Sequence, residues 1–77
     1  MPTVEIYFQR GCGACDIEIP RIVREAKSLG LDVRTYDIDT CPVNKRDECD
    51  SISVVPTLMY QGKEIGLSDL KQIAEGR

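Results

Sequence analysis

Histidine and tryptophan are absent from these 77 residues, and phenylalanine occurs once. Without histidine there is no Ser–His–Asp arrangement, and the commonest metal ligand is missing as well. Positive charge is in deficit: ten Lys and Arg stand against thirteen Asp and Glu, for a net charge of −3. That balance argues against a nucleic-acid partner. No apolar run approaches the ~18 residues that a membrane span requires, so no membrane partner is expected either. The opening Met1-Pro2-Thr3-Val4-Glu5 has no basic n-region, which points to an intracellular, cytoplasmic setting. With six Gly, four Pro, 42% hydrophobic and 30% charged residues, collagen, a disordered tail and a coiled coil are excluded. The expectation is a single small globular domain over residues 1–77, monomeric, whose core rarely supplies more than ~3–5 kcal/mol.

What is present is cysteine, at positions 12, 15, 41 and 49. In a secreted mini-protein four cysteines read as a framework of two bridges. In a reduced intracellular setting a C-x-x-C is more often catalytic or metal-binding.

Local patterns place these cysteines on elements. Thr3 to Phe8 is β-branched and aromatic, with Val4, Ile6 and Phe8 alternating onto one face, so it reads as a strand. Gln9-Arg10-Gly11 is a turn. From Cys12 the period lengthens: Ile19, Ile22, Val23, Ala26 and Leu29 recur as on a helix face, with Gly30 as the stop. Pro20 lies inside that helix and predicts a kink past the second cysteine. Leu31 to Ile38 reads as a second strand, and Pro42 opens a short polar helix running to about Asp50. Thr57 to Tyr60 is a third strand, and Gln61-Gly62 turns it into Lys63-Glu64-Ile65 as a hairpin. Ser68 is placed to cap a last helix, with Leu70, Ile73 and Ala74 facing inward. The order β-α-β-α-β-β-α specifies an α/β fold: a four-stranded mixed sheet with helices on both faces. Tyr7, Phe8, Tyr36 and Tyr60 read as packing residues.

The motif Cys12-Gly13-Ala14-Cys15 falls directly after the first strand, where a helix begins. Thiolate is the nucleophile in disulfide exchange, and a helix N-terminus favours it with free N–H groups and a positive dipole end. Cys12 precedes the first turn and is expected to be exposed; Cys15 lies one turn in and is expected to be shielded. Cys12 therefore attacks, and Cys15 resolves the mixed disulfide. Half of a structural zinc site is the plainer alternative, but Cys41 and Cys49 are spaced too widely for a second zinc knuckle.

The run Cys12-Gly13-Ala14-Cys15-Asp16-Ile17-Glu18-Ile19-Pro20 resembles the active-site helix of the thioredoxin/glutaredoxin superfamily, including a proline five residues past the second cysteine. Val55-Pro56-Thr57 is similar to the superfamily's cis-proline motif, and the resemblance spans nearly the whole chain. The length and the missing N-terminal β-α unit are closer to glutaredoxins and small thioredoxin-like proteins. The resemblance implies a thioredoxin-like fold and a thiol–disulfide oxidoreductase without cofactor. Its partners would be disulfide-containing proteins and a reductant, either a thioredoxin reductase-like enzyme or glutathione. It also implies a cis bond at Pro56, which sequence statistics alone would make trans, and substrate pairing with the backbone of Val55. Arg10 would meet a glutathione carboxylate or lower the pKa of Cys12; a plainly solvated charge is the alternative. Gly66-Leu67-Ser68-Asp69 partly matches a glutathione-holding helix start, against a plain Ser68-capped helix.

Three departures from the superfamily pattern are visible. No Trp precedes the motif, and Gly13-Ala14 matches neither thioredoxins nor glutaredoxins. Ile6 stands where thioredoxins bury an acid, so proton transfer at Cys15 is left to water, Asp16 or Glu18.

A competing class is a copper- or zinc-binding module, since heavy-metal-associated domains also put C-x-x-C after a first strand. Their β-α-β-β-α-β order is not the one read here. For Cys41 and Cys49, a bridge would close a loop of about nine residues. Two full helical turns between them would hold their ends ~12 Å apart, beyond the ~7 Å limit of a disulfide. The bridge therefore requires the segment to double back; otherwise both are free thiols packed as small hydrophobes.

Overall fold

The computed structural model of the protein describes residues 2–76. Strand β1 (Thr3–Phe8) alternates as its sequence requires: Val4 and Ile6 are fully buried on one face and Tyr7 on the other. Helix α1 (Gly13–Ser28) follows and runs uninterrupted through Pro20. It ends in a Schellman arrangement, with Leu31 N–H bonding the Ala26 carbonyl at 2.9 Å and Gly30 N–H bonding that of Lys27 at 3.0 Å. Gly30 has φ +79°, a conformation that side chains other than glycine's resist. Strand β2 (Asp32–Asp37) is one residue shorter at each end than the alternation suggests, with Leu31 buried in one core cluster and Ile38 packed against the other.

Strands β1 and β2 pair in parallel, from Thr3 opposite Asp32 to Phe8 opposite Asp37. Strand β3 (Thr57–Tyr60) runs antiparallel to β1, and β4 (Lys63–Ile65) antiparallel to β3. Positive φ at both Gln61 (52°) and Gly62 (79°) matches the two-residue hairpin turn. The sheet has four strands in the order β2-β1-β3-β4. This register brings the ends of β1 and β2, the start of β3 and the end of β4 to one edge of the sheet.

Helices cover both faces. On one, Val4, Ile6 and Leu58 meet Ile22 and Ala26 of α1, and Leu70 and Ile73 of α3 (Leu70–Ala74). Five residues cannot hold a helix in water; Leu70 and Ile73, each worth ~1.5–3 kcal/mol on full burial, pin α3 to the sheet. Ser68 does not cap it. A 3-10 turn (Leu67–Asp69) precedes α3, and the Asp69 carboxylate reaches back to the Gly66 N–H at 2.8 Å while Ser68 stays exposed. The Asp69 carboxylate fastens the turn ahead of α3 through the N–H of Gly66, and no side chain caps the first N–H groups of α3 itself.

On the other face, Tyr7 and Met59 pack with Cys49, flanked by Tyr36, Ile38, Cys41 and Ile52. The expected helix from Pro42 to Asp50 is two pieces, a 3-10 turn (Val43–Lys45) and α2 (Arg46–Ser51). The break falls at Lys45 (φ −118°, ψ 11°), which bends the segment back and brings the Cα atoms of Cys41 and Cys49 to 6.5 Å in a disulfide. Lys45 Nζ lies 2.7 Å from Glu5 Oε2 and 5.7 Å from the centre of the Tyr36 ring, which stacks on Tyr7 at 5.3 Å.

This cluster makes the fold sensitive to alkali. Burial, with Glu5 beside it, pushes the Tyr7 hydroxyl up, and the hydrogen bond to Glu5 raises Lys45. Both groups hold their protons more tightly folded than unfolded. Their stabilising effect is complete below the unfolded values of ~10–10.4 and drains away as pH rises through the folded ones. Urea midpoints are expected to hold from neutral pH to about 9.5 and fall above it. The fall is expected to be shallower in Tyr7→Phe; an identical curve in that variant would remove Tyr7 from the explanation.

Candidate active site

The turn after β1 is anchored from β2. Arg10 Nε lies 3.5 Å from Asp37 Oδ2, Gln9 Nε2 donates to Asp39 Oδ1 at 3.2 Å, and the Asp39 N–H donates to Asp37 Oδ1 at 2.9 Å. Gly11, at φ +80°, lets the chain reverse into α1. Cys12 then sits at the N-cap with extended backbone (φ −84°, ψ 109°), and its sulfur accepts the Cys15 N–H at 3.0 Å. A cap normally offers oxygen from Ser, Thr, Asp or Asn. Here the sulfur takes that place, and the start of α1 points an amide and its positive end at the Cys12 sulfur.

The two thiols differ as their positions in the helix require. Cys15 is 3% exposed, whereas Cys12 is half-buried rather than exposed as expected, because the Val55 carbonyl lies against its sulfur. Burial pushes the Cys15 thiol up, its hydrogen bond with Cys12 adds to this, and the Gln9 backbone opposes it. Cys12 is the sulfur a substrate can reach.

The segment before β3 arrives at the same sulfur. Cys12 Sγ lies 3.9 Å from the Val55 carbonyl oxygen, and the Val55–Pro56 peptide bond is cis. Val54 is 70% exposed beside it, and the Thr57 hydroxyl donates back to the Val54 carbonyl. The register of β3 and β4 carries Leu67, also exposed, to the same edge of the sheet. Sequence reasoning missed Val54 and Leu67 as part of this surface; an apolar residue just before the Val-Pro-Thr run was the available signal.

No family model matches the chain, and no curated protein does. Among solved structures, oxidized thioredoxin O1 of Arabidopsis thaliana aligns at a TM-score of 0.66 and 26% identity, over 99% of this chain and 77% of that one. The chain belongs to the thioredoxin-like superfamily. At lower identity the likeness is one of fold. Arabidopsis thioredoxin O2 gives 0.63 at 22%, covering 99% and 74%, and Plasmodium falciparum thioredoxin gives 0.61 at 22%, covering 96% and 79%.

Within this thioredoxin-like frame, the remaining sequence candidates separate. Arg10 is 87% exposed on its side chain and is turned to Asp37. It lines an open cavity of about 440 Å³ together with Phe8, Cys15, Asp16, Ile19 and Thr35. The Gly66–Asp69 turn is closed on itself, because the Asp69 carboxylate already accepts the Gly66 N–H. Ile6, in the middle of β1, is fully buried and apolar.

Proposed function

We propose that the protein is a thiol–disulfide oxidoreductase working as a protein-disulfide reductase in the cytoplasm. The observation that carries this reading is the Cys12 sulfur at a helix start, 3.9 Å from the Val55 carbonyl, with Cys15 buried one turn behind it. An extended substrate segment pairs with the Val55 backbone beside Pro56, in the manner of strand addition. The Cys12 thiolate attacks one sulfur of the substrate disulfide, and the other leaves as a thiolate. Cys15 then attacks Cys12, releases the second substrate thiol and leaves a Cys12–Cys15 disulfide. A dithiol reductase or glutathione supplies the electrons that reopen it. Arg10, beside Cys15 in the cavity, is suited to steer an acidic group of such a partner.

Turnover of insulin disulfides with dithiothreitol as electron source tests the reading, together with a potential measured for Cys12–Cys15. The expected result is catalysed reduction and a potential at or below that of the cytosolic glutathione pool, where each 30 mV is ~1.4 kcal/mol. No turnover, with tight copper or zinc binding to the reduced protein, would transfer the motif to metal chemistry. The element order opposes that outcome, since the chain passes from the hairpin into a helix.

A further inference from the structure

Cys15 carries a requirement that the steps above do not meet. It is 3% exposed with its thiol pushed up by burial, so it enters the resolving step protonated and must give that proton away. Among the described residues no buried side chain is charged, and the buried Tyr7 hydroxyl donates to Glu5 on the opposite face of the sheet, so the interior around Cys15 offers no acceptor. One side of Cys15 is different. The cavity of about 440 Å³ opens on it, with room for several waters. The charged groups lining that cavity are Arg10 and Asp16. Arg10 cannot accept a proton and is paired with Asp37 from the end of β2. Glu18 lies outside the lining and faces Arg21 at 4.0 Å.

We propose that Asp16 accepts the Cys15 proton, relayed by water in this cavity, as Cys15 attacks the mixed disulfide. This rests on the reading of Cys15 as the resolving thiol. The Cys15 S–H bond breaks and its proton passes to the Asp16 carboxylate. A sulfur–sulfur bond forms between Cys15 and Cys12, and the electron pair of the old bond leaves on the substrate sulfur. No further oxidant or reductant is needed. When the Cys12–Cys15 disulfide is later opened, the Asp16 carboxylate passes a proton from water back to Cys15 by the same path.

Two effects of Asp16 have opposite signs, which makes the assignment testable. As a fixed negative charge it holds the Cys15 proton on, since its field raises that thiol. As an acceptor it takes the proton off. The reduced protein is mixed with an aromatic disulfide whose released thiolate is coloured. The first release reports attack by Cys12 and the second reports resolution by Cys15. In Asp16→Asn the second release is expected to slow about a hundredfold, the lower end for general-base assistance. Asp16→Glu restores most of it, and Glu18→Gln leaves it unchanged. In Asp16→Asn the second rate also becomes proportional to hydroxide near neutral pH, with Arg10, Asp37 and Cys12 as the other charged or titrating groups around the site. A second release as fast as wild type, or faster, would show Asp16 acting only as a charge and would overturn the proposal. Loss of the first release in the wild-type protein is a separate failure, that of Cys12 as nucleophile.

Discussion

Cys12→Ser is expected to reduce insulin turnover to the uncatalysed rate, whereas Cys15→Ser is expected to halt after one event. The reason lies in where each sulfur sits. Cys12 is the half-buried one, capped by the Cys15 N–H at 3.0 Å and beside the Val55 carbonyl. A serine hydroxyl there is not ionised near neutral pH and does not open a disulfide. Cys15 is shielded and pushed up, so it reacts only when a disulfide is held against it on Cys12. Its loss leaves the substrate covalently attached, and non-reducing electrophoresis reads that adduct directly. A thiol-selective alkylating agent applied to the reduced wild-type protein is expected to label Cys12 first, located by peptide mass. Equal labelling at both positions, or turnover surviving in Cys12→Ser, would remove the nucleophile assignment.

Breaking the Cys41–Cys49 bridge is expected to have the largest effect on stability. The bridge closes a loop of eight-residue separation, worth ~2–3 kcal/mol in the chain-entropy account. That is a large share of what a core in this size class supplies, ~3–5 kcal/mol. The segment it closes has little else to hold it. Val43 is 82% exposed, α2 is six residues, and only Cys49 of α2 is buried. The Lys45–Glu5 ion pair stands between the two cysteines and depends on the same bend. The double variant Cys41→Ala, Cys49→Ala is therefore expected to melt on the order of 10–20 °C lower than the oxidized wild type. Amide exchange is expected to rise most over residues 42–52, while Val4 and Ile6 keep their protection. A melting shift of only a degree or two would mean that the bend holds without the bridge. Four free thiols in the protein as isolated would mean that the bridge does not form.

Much of the sheet and of α1 was legible because those signals are local. Alternation in Thr3–Phe8, the short run Thr57–Tyr60 before the Gln61-Gly62 turn and the helical period after Cys12 each depend on a few adjacent residues. The parallel pairing of β1 with β2 followed from the helix between them. The placement of Cys12-Gly13-Ala14-Cys15 at a helix start was equally local. So was the asymmetry between its two sulfurs, since one turn of helix separates the cap from the buried face.

The partners across the chain were decided by the tertiary structure alone. Whether Cys41 and Cys49 meet turned on a backbone break at Lys45, a residue whose side chain is drawn to Glu5 on a strand forty residues earlier in the chain. At the start of the last helix the Asp69 carboxylate closes the preceding turn on the Gly66 N–H, while Ser68, with the better local capping signature, stays exposed and α3 itself has no side-chain cap. Arg10 could be read in sequence as an anion ligand or a solvated charge; the parallel register set Asp37 beside it. The cavity that joins Cys15 to Asp16 has no sequence signature, because it is bounded by β1, α1 and β2 together. Periodicity says which face a side chain takes. What waits on that face is settled only when the strands are in register and the loops between them have closed.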